Sequence, residues 1–453
     1  MSATRSFLWR WDRLTAVLLA GVSFIGIAAI GLAAEQPMTL EEIVNTAILN
    51  NPAVIETQKR WEEKKSRIRL ATAQPNPKIG IMKDDIPKNT LNIGEAMMTE
   101  ISISQELMLP SKIRAMGRMA ENEAAMSKAE WSEKRLEVYA QTKQAYYDYL
   151  YARQALVIGR EAQALMGQLA SLAQVNYSTG MVPLQDTLKA QTEYSQMAID
   201  LSNMASMETV ARAKLNNLMG RSAAAAFEVK EEFYALPPEF DLAELLKTAA
   251  SEKPAIAGME YGLAMAENGL DLAKRQQLPD FELSYGYKMN KGQMIEVMDD
   301  GMGMPQVMAS DQPDTWRIEL MAMIPLWQGK NKAEIKAAEA SREASRAALQ
   351  SMKNMAELDV QMTLTEAQAT WRQIELYQHT IVPQAEQTYQ AAVVGYTNGK
   401  VDFMTVLEGV NTLRNARLGL YKARVDYEKA VANLEKAVGK PLSMTADIMK
   451  VKK

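Results

Sequence analysis

The chain has 453 residues, one histidine, no cysteine and a formal net charge of −4 at pH 7. Disulfides, thiolate chemistry and histidine-rich metal sites are excluded, and a Ser–His–Asp arrangement would have to rest on His379, which lies in the polar stretch Gln378-His379-Thr380. The pI near 5.6 offers no basic groove for nucleic acid, and 7% aromatics among plentiful Ala, Gln, Glu, Lys and Met favour long helices over packed layers. Neither an enzyme nor a cofactor is expected.

Arg5, Arg10 and Arg13 precede an apolar run from Leu14 to Leu32, which gives way through Ala33-Ala34 to Glu35-Gln36-Pro37. A basic region, an apolar region and small residues before a polar start read as an export signal over residues 1–34, with a retained anchor as the rival. No later stretch approaches the roughly 20 apolar residues of a spanning helix. If the remainder sits in a membrane, it does so by β-strands.

Beyond that segment the chain repeats itself. Residues 39–77 align with 241–279 without a gap, so that Leu40, Glu42, Pro52, Leu70 and Pro77 meet Leu242, Glu244, Pro254, Leu272 and Pro279. A second block brings Val175, Tyr177, Gly180, Leu188, Leu215 and Gly220 onto Val394, Tyr396, Gly399, Leu407, Leu434 and Gly439. A duplicated sequence predicts a duplicated architecture. The expected organisation is a first repeat over 35–220, a linker over 221–240, a second repeat over 241–441 and a tail over 442–453.

Each repeat is expected to run short helix, longer helix, strand, loop, strand, very long helix, tight turn, long helix. The short helices Leu40–Asn50 and Leu242–Glu252 end at Asn51-Pro52 and Lys253-Pro254, where proline stops one helix and starts the next. After Pro279 the period becomes two. Phe281, Leu283, Tyr285, Tyr287 and Met289 alternate with Glu282, Ser284, Gly286 and Lys288; Trp316, Ile318, Leu320, Ala322 and Ile324 alternate with Arg317, Glu319, Met321 and Met323. Lys78–Met82 and Met98–Leu107 are weaker copies, and the segment between the second pair reads as a methionine-rich loop. Apolar residues toward lipid and polar ones toward a wet lumen is the pattern of membrane strands, with Phe281, Leu283, Tyr285, Trp316, Ile318 and Leu320 facing lipid. The alternative is a soluble sheet with one face on a core. Four strands cannot close a barrel, so their edges must pair with other copies.

From Ser111 to about Ser178 there is no proline, a length of roughly 100 Å if helical throughout. Its counterpart from about Lys330 to Thr397 carries Pro383, where a kink is expected. The antiparallel partners Pro183–Met219 and Asp402–Val438 carry narrow stripes such as Leu407, Val410, Leu418, Tyr421 and Val425, the seam of a coiled coil with water on both flanks.

This order of helices, strand pair and coiled-coil hairpin, repeated twice, resembles the TolC-type outer-membrane efflux factors over Thr39 to Pro441. The matching residues include Leu40-Glu41-Glu42 with Asn51-Pro52, Ile324-Pro325-Leu326-Trp327, Ile381-Val382-Pro383-Gln384-Ala385-Glu386, and the turns Tyr177-Ser178-Thr179-Gly180 and Tyr396-Thr397-Asn398-Gly399. Ser104-Gln105-Glu106-Leu107-Met108-Leu109-Pro110-Ser111-Lys112 also resembles heavy-metal efflux members, with Ser111 where a glycine is common. The resemblance implies a predominantly helical α+β chain with four transmembrane strands. Three copies would build a twelve-stranded barrel continued by a periplasmic helical barrel. The expected function is the passive, gated outer-membrane channel of a tripartite efflux or type I secretion system. Its partners would be a periplasmic adaptor, an RND or ABC inner-membrane pump and outer-membrane lipid. A periplasmic adaptor or a structural coiled-coil protein is the alternative; an adaptor would place one hairpin between β-domains, whereas two hairpins and two strand pairs are present.

The resemblance also implies a gate. The family's inward tyrosine falls on Tyr396, one first-half carboxylate on Asp186 and an inner-ring residue on Glu408; a second carboxylate falls on Thr405 and a gate arginine on Val401, with Lys400 the nearest cation, so the family network is incomplete. Tyr177, Gly180, Met181, Gly399 and Lys400 mark the hairpin tips, where the glycines reverse the chain and an adaptor would dock. Met294, Met298, Met302, Met304 and Met308 crowd one segment; thioethers suit soft ions, but with 31 methionines in the chain compositional bias is the simpler reading.

Overall fold

The computed structural model describes residues 37–86, 88, 92–233, 240–299 and 305–442, with the backbone alone at 293–299 and 305–309. The expected export signal at 1–34, Met302 and Met304 lie outside the described residues. The first half comprises α1 (Leu40–Asn50), α2 (Pro52–Thr72), β1 (Lys78–Asp84), β2 (Met98–Leu107), α3 (Pro110–Ser178) and α4 (Leu184–Leu218). The second comprises α5 (Leu242–Glu252), α6 (Pro254–Arg275), β3 (Asp280–Asn290), β4 (Gln293–Asp299), β5 (Pro305–Asp311), β6 (Thr315–Met323), α7 (Gln328–Leu376), α8 (Val382–Thr397) and α9 (Phe403–Val438).

Local chemistry sets the joints. Thr39 and Glu42 form a reciprocal capping box at α1, each side chain accepting the other's backbone N–H. Asn51 then caps α2 by accepting the Ala53 N–H at 2.9 Å, with Pro52 in the first turn; Asp241 caps α5 in the same way through Ala243.

The uninterrupted α3 has 69 residues, about 100 Å of rod. In the half nearer the sheet its neighbours are α2 and α6, with α7 beyond α6; in the distal half they are α4 and α9, with α7 and α8 beyond α9. The result is a wall of four rods in which α4 continues the line of α2 and α9 that of α6. The sheet above repeats this order, β1-β2-β3-β6, because each strand joins the rod beneath it.

The Pro383 expectation needs refinement. The chain passes through Pro383 as part of α8, and the break in helical register falls one turn earlier, in a π-helical segment at Tyr377–Ile381. Proline removes an N–H from the ladder, and the wider turn before it absorbs the mismatch. The methionine-rich segment is also more ordered than a loop: β4 and β5 pair antiparallel, from Gln293 with Asp311 to Asp299 with Pro305, extending the β3–β6 hairpin. Met294 and Met298 are in β4 and Met308 is in β5.

The largest apolar cluster sits at mid-height. Ile43, Val44 and Ala47 of α1 belong with Tyr139, Tyr146, Tyr147 and Leu150 of α3 and with Phe227 and Val229 of the inter-repeat segment. The Tyr146 hydroxyl donates to the Lys230 carbonyl at 2.6 Å and accepts from the Glu232 N–H at 3.0 Å. Beside this cluster a buried ion pair joins the repeats. Lys143 Nζ lies 2.7 Å from Glu435, at 5% and 0% side-chain exposure, while Tyr139 Oη and the Leu442 N–H also donate to that carboxylate. A buried pair of this kind stabilises little by itself, but stranding one partner is costly.

Lys143→Ala is therefore expected to destabilise the chain by about 3–5 kcal/mol, whereas removing the exposed Lys422 of the Lys422–Asp426 pair should cost under about 1 kcal/mol. Urea unfolding followed by helical circular dichroism checks both, and Lys143→Met with Glu435→Gln, which keeps an acceptor for Tyr139 and the Leu442 N–H, should recover part of the loss.

Candidate functional site: a barrel segment and the hairpin tips

Strand register stacks the alternating residues into rows. On one face Ile79, Ile103, Tyr285 and Ile318 form one cross-strand row, and Ile81, Ile101, Tyr287 and Trp316 the next. Leu283 faces Leu320, and Phe281 lies between Leu107 and Ala322. These side chains meet no protein layer: Ile79 is 76% exposed, Ile318 62% and Trp316 66%, and Leu283, Tyr285 and Leu320 are exposed as well, while Phe281 is half-buried. A strand of nine to eleven residues tilted by about 40° spans roughly 23–28 Å, the height of an outer-membrane apolar band. Among the described residues no helix is long and apolar enough to cross a membrane.

The opposite face is polar. Glu100 is the most enclosed group on it, and it crosses β3 to reach β6: its carboxylate meets Arg317 at 2.7 Å and Lys288 at 3.8 Å. Gly286 makes this possible, because a Cβ there would stand 2.4 Å from Glu100 Oε1. Ser102, Ser104, Ser284 and Glu319 share the face, so water rather than lipid is its natural neighbour. In the sequence Glu100, Lys288 and Arg317 were only polar positions in an alternation; the strand glycine was the available signal of a close crossing.

At the far end of the rods both hairpins turn alike. Gly180 and Gly399 have φ of +73° and +67°, and the N–H groups of Met181 and Lys400 reach back to the carbonyls of Asn176 and Gly395 at 2.8 Å. This is a Schellman closure, available cheaply only to glycine at the left-handed position. The surroundings of the two turns differ. Tyr177 is 40% exposed beside exposed Met181, Leu184 and Leu188, while their repeat mates Tyr396, Phe403 and Leu407 are buried, Tyr396 and Phe403 meeting edge to face at 5.8 Å.

Tyr396 thus lies inside the packing of its hairpin, at 3% exposure, and Glu408 lies exposed on α9. Burial, and then the Asp186 carboxylate, push the Tyr396 hydroxyl above its ordinary pKa. Asp186 is itself raised, by burial first and then by Asp402. Asp402 caps α9 and is held below the usual carboxylate range by hydrogen bonds from the Thr405 hydroxyl and N–H. Asp186 of the first hairpin therefore lies within electrostatic reach of Tyr396 and Asp402 of the second. Asp402 was missed because repeat alignment sets it opposite Pro183, which hides its charge. Among the described residues no group of three or more His, Cys, Asp or Glu is arranged to hold a metal ion.

A four-stranded sheet with an exposed apolar face, set on a long helical wall with paired hairpins at the far end, is the arrangement of an outer-membrane duct rather than an enzyme. The sequence matches the family described as outer membrane efflux protein over residues 43–221 and 245–440, one stretch per repeat, and the chain belongs to that family. It is 22% identical over 410 residues to the cobalt-zinc-cadmium resistance protein CzcC of Cupriavidus metallidurans, covering 89% of this chain and 90% of that one. It is 21% identical over 436 residues to the outer membrane protein TolC of Escherichia coli, covering 93% and 85%. The fold matches crystal structures of CusC with a TM-score of 0.73 at 17% identity, covering 89% of this chain and 93% of that one. It is an outer-membrane efflux channel protein of the TolC type, reaching into the periplasm and performing no catalysis.

Arginine at Ile318 or Leu283 is expected to cost roughly 2–4 kcal/mol near the bilayer midplane, and arginine at Ser284 far less. The yield of heat-resistant protein in isolated outer membranes checks this; equal tolerance on the two faces would mean that neither faces lipid.

Proposed function

We propose that three copies of this chain close a twelve-stranded barrel over a helical tube. The tube would be the exit duct of a tripartite system, joined at its tips to a periplasmic adaptor and an inner-membrane pump. The observation that carries the reading is the sheet with one largely exposed apolar face and two open edges, β1 and β6. Eight strands leave room only for side chains, whereas twelve leave a water-filled bore. The N-terminal segment 1–34 acts as the export signal, 35–220 and 241–441 as the two repeats around the linker 221–240, and 442–453 as a tail.

The tips form the gate and the docking end. Exposed Tyr177, Met181, Leu184 and Leu188 of the first hairpin offer the apolar surface, with Gly180, Gly399 and Lys400 at the turns. Asp186 and Asp402 oppose one another between hairpins, so their repulsion favours separation of the tips. A carboxyl whose pKa is raised in the packed tips holds its proton more tightly there than when the tips part. The packed arrangement is then favoured most below the ordinary carboxylate range, and loses that advantage as pH rises through the raised pKa. Tyr396 braces the closed hairpin from within, and Glu408, repeated around the axis, biases the mouth toward cations.

The transported material is proposed to be metal ions. Similarity to a cobalt-zinc-cadmium resistance protein over nine-tenths of both chains supports that choice, and the segment Ser104–Lys112 points the same way. The chain itself contributes a path and a gate, and the pump the energy.

In planar bilayers, conductance of the purified protein is expected to fall as pH is lowered toward the ordinary carboxylate range, and Asp186→Asn to be low and nearly pH-independent. Tyr396→Ala should raise resting conductance by loosening the hairpin, and Glu408→Ala should reduce cation preference. Pores whose conductance ignores all three substitutions would place the gate elsewhere. Deletion of the gene should lower tolerance to cobalt, zinc or cadmium; unchanged tolerance to all three would remove metal ions as the cargo.

A further inference from the structure

We propose that a cavity of about 350 Å³ between α2, α3 and α6, at the foot of the sheet, binds the phosphodiester of a phospholipid headgroup in the periplasmic leaflet of the outer membrane. The inference rests on the outer-membrane placement of the sheet and on the closed tube proposed above, and uses nothing of the gate or cargo. The cavity is lined by Thr72, Ser111, Arg114, Arg118, Glu121 and Arg275. Three guanidinium groups converge on it. Arg118 and Arg275 share one oxygen of Asp271, at 3.1 and 2.9 Å. Arg114 donates to the Pro110 carbonyl of its own helix at 3.2 Å, and among the described residues no carboxylate pairs with it. Three cations against Asp271 and Glu121 leave a net positive charge, in the planar donor geometry that suits phosphate oxygens.

Depth points to lipid. The lowest apolar row of the sheet includes Leu107, which is 39% exposed, and α3 starts at Pro110. Ser111 to Arg118 covers about 10 Å of helix, and a headgroup layer is roughly 5–8 Å thick on each side of the hydrocarbon. Ser111 and Arg114 therefore lie at headgroup depth, Arg118 at its lower margin, and Leu107 just above, where acyl chains would lie. Glu121, one turn further down, closes the periplasmic end against the anion.

Orientation agrees. Tyr146, which anchors the inter-repeat segment and the α1 layer onto α3, is 28 residues from Arg118. Four heptads of a straight helix drift by about 80°, so the two residues share a side of α3 to within a quarter turn. A layer of that bulk inside the bore would block it, so this side is the outer one. The cavity then opens toward the membrane surface, bounded by helices of one chain.

The test is native mass spectrometry of the detergent-purified protein with phosphatidylglycerol, with diacylglycerol of the same chains, and with inorganic phosphate as competitor. Wild-type chain is expected to retain phosphatidylglycerol at one per chain, to retain no diacylglycerol, and to keep its lipid against equimolar phosphate. Arg114→Gln, which among the described residues loses only a hydrogen bond within its own helix, should lower retention about tenfold, and Arg114→Gln with Arg275→Gln further, while the remote Arg342→Gln with Arg346→Gln should match wild type. Retention unchanged in Arg114→Gln, equal retention of diacylglycerol, or displacement by equimolar phosphate would each overturn the proposal. Conductance is not the readout, so failure of the channel reading and failure of this one are told apart.

Discussion

An apolar sheet face bordered by two unpaired edges is the constraint on which the rest of this structure depends. In hydrocarbon every backbone N–H and carbonyl must be paired, and β1 and β6 each present a row that this chain does not satisfy. The strands therefore require neighbours, and the rods beneath them inherit the same arrangement: because β1, β2, β3 and β6 connect directly to α2, α3, α6 and α7, the order of the sheet is the order of the wall. Closure of the one entails closure of the other.

The wall works with water on both sides, which explains its sparse core. Burial follows narrow stripes, such as Val406, Leu407, Val410 and Leu413 on α9, and the broad apolar cluster appears only where α1 and the inter-repeat segment add a layer at mid-height. Duplication built the wall from one plan, and divergence gave its two hairpin tips different surroundings. Tyr177 and Tyr396 occupy equivalent positions, yet one faces solvent beside Leu184 and Leu188 while the other packs on Phe403. The buried Lys143–Glu435 pair, from α3 of one repeat and α9 of the other, locks the two plans together.

Most of the architecture was legible because it is written in periodicity and punctuation. The prolines at 52 and 254 placed the short-helix boundaries, the glycines at 180 and 399 placed the hairpin turns, and the alternation from Phe281 to Met289 gave a strand with one exposed apolar face. What escaped depended on neighbours distant in sequence. Glu100 needs Arg317 and Lys288 across Gly286, a relation no single strand reveals. Asp402 stood opposite Pro183 in the repeat alignment, and only the approach of the other hairpin brings its charge within reach of Asp186. The pairing of β4 with β5 was masked by a composition rich in methionine and glycine, and the π turn by a proline that marks strain without saying where the helix absorbs it.

The account stands on the claim that this four-stranded sheet is one third of a closed barrel. Native mass measurement of the detergent-extracted, unheated protein tests that claim most directly. A single species of three chains, dissociating to monomer only on denaturation, is the expected result. A folded monomer with its sheet intact, or an assembly of two chains, would contradict it.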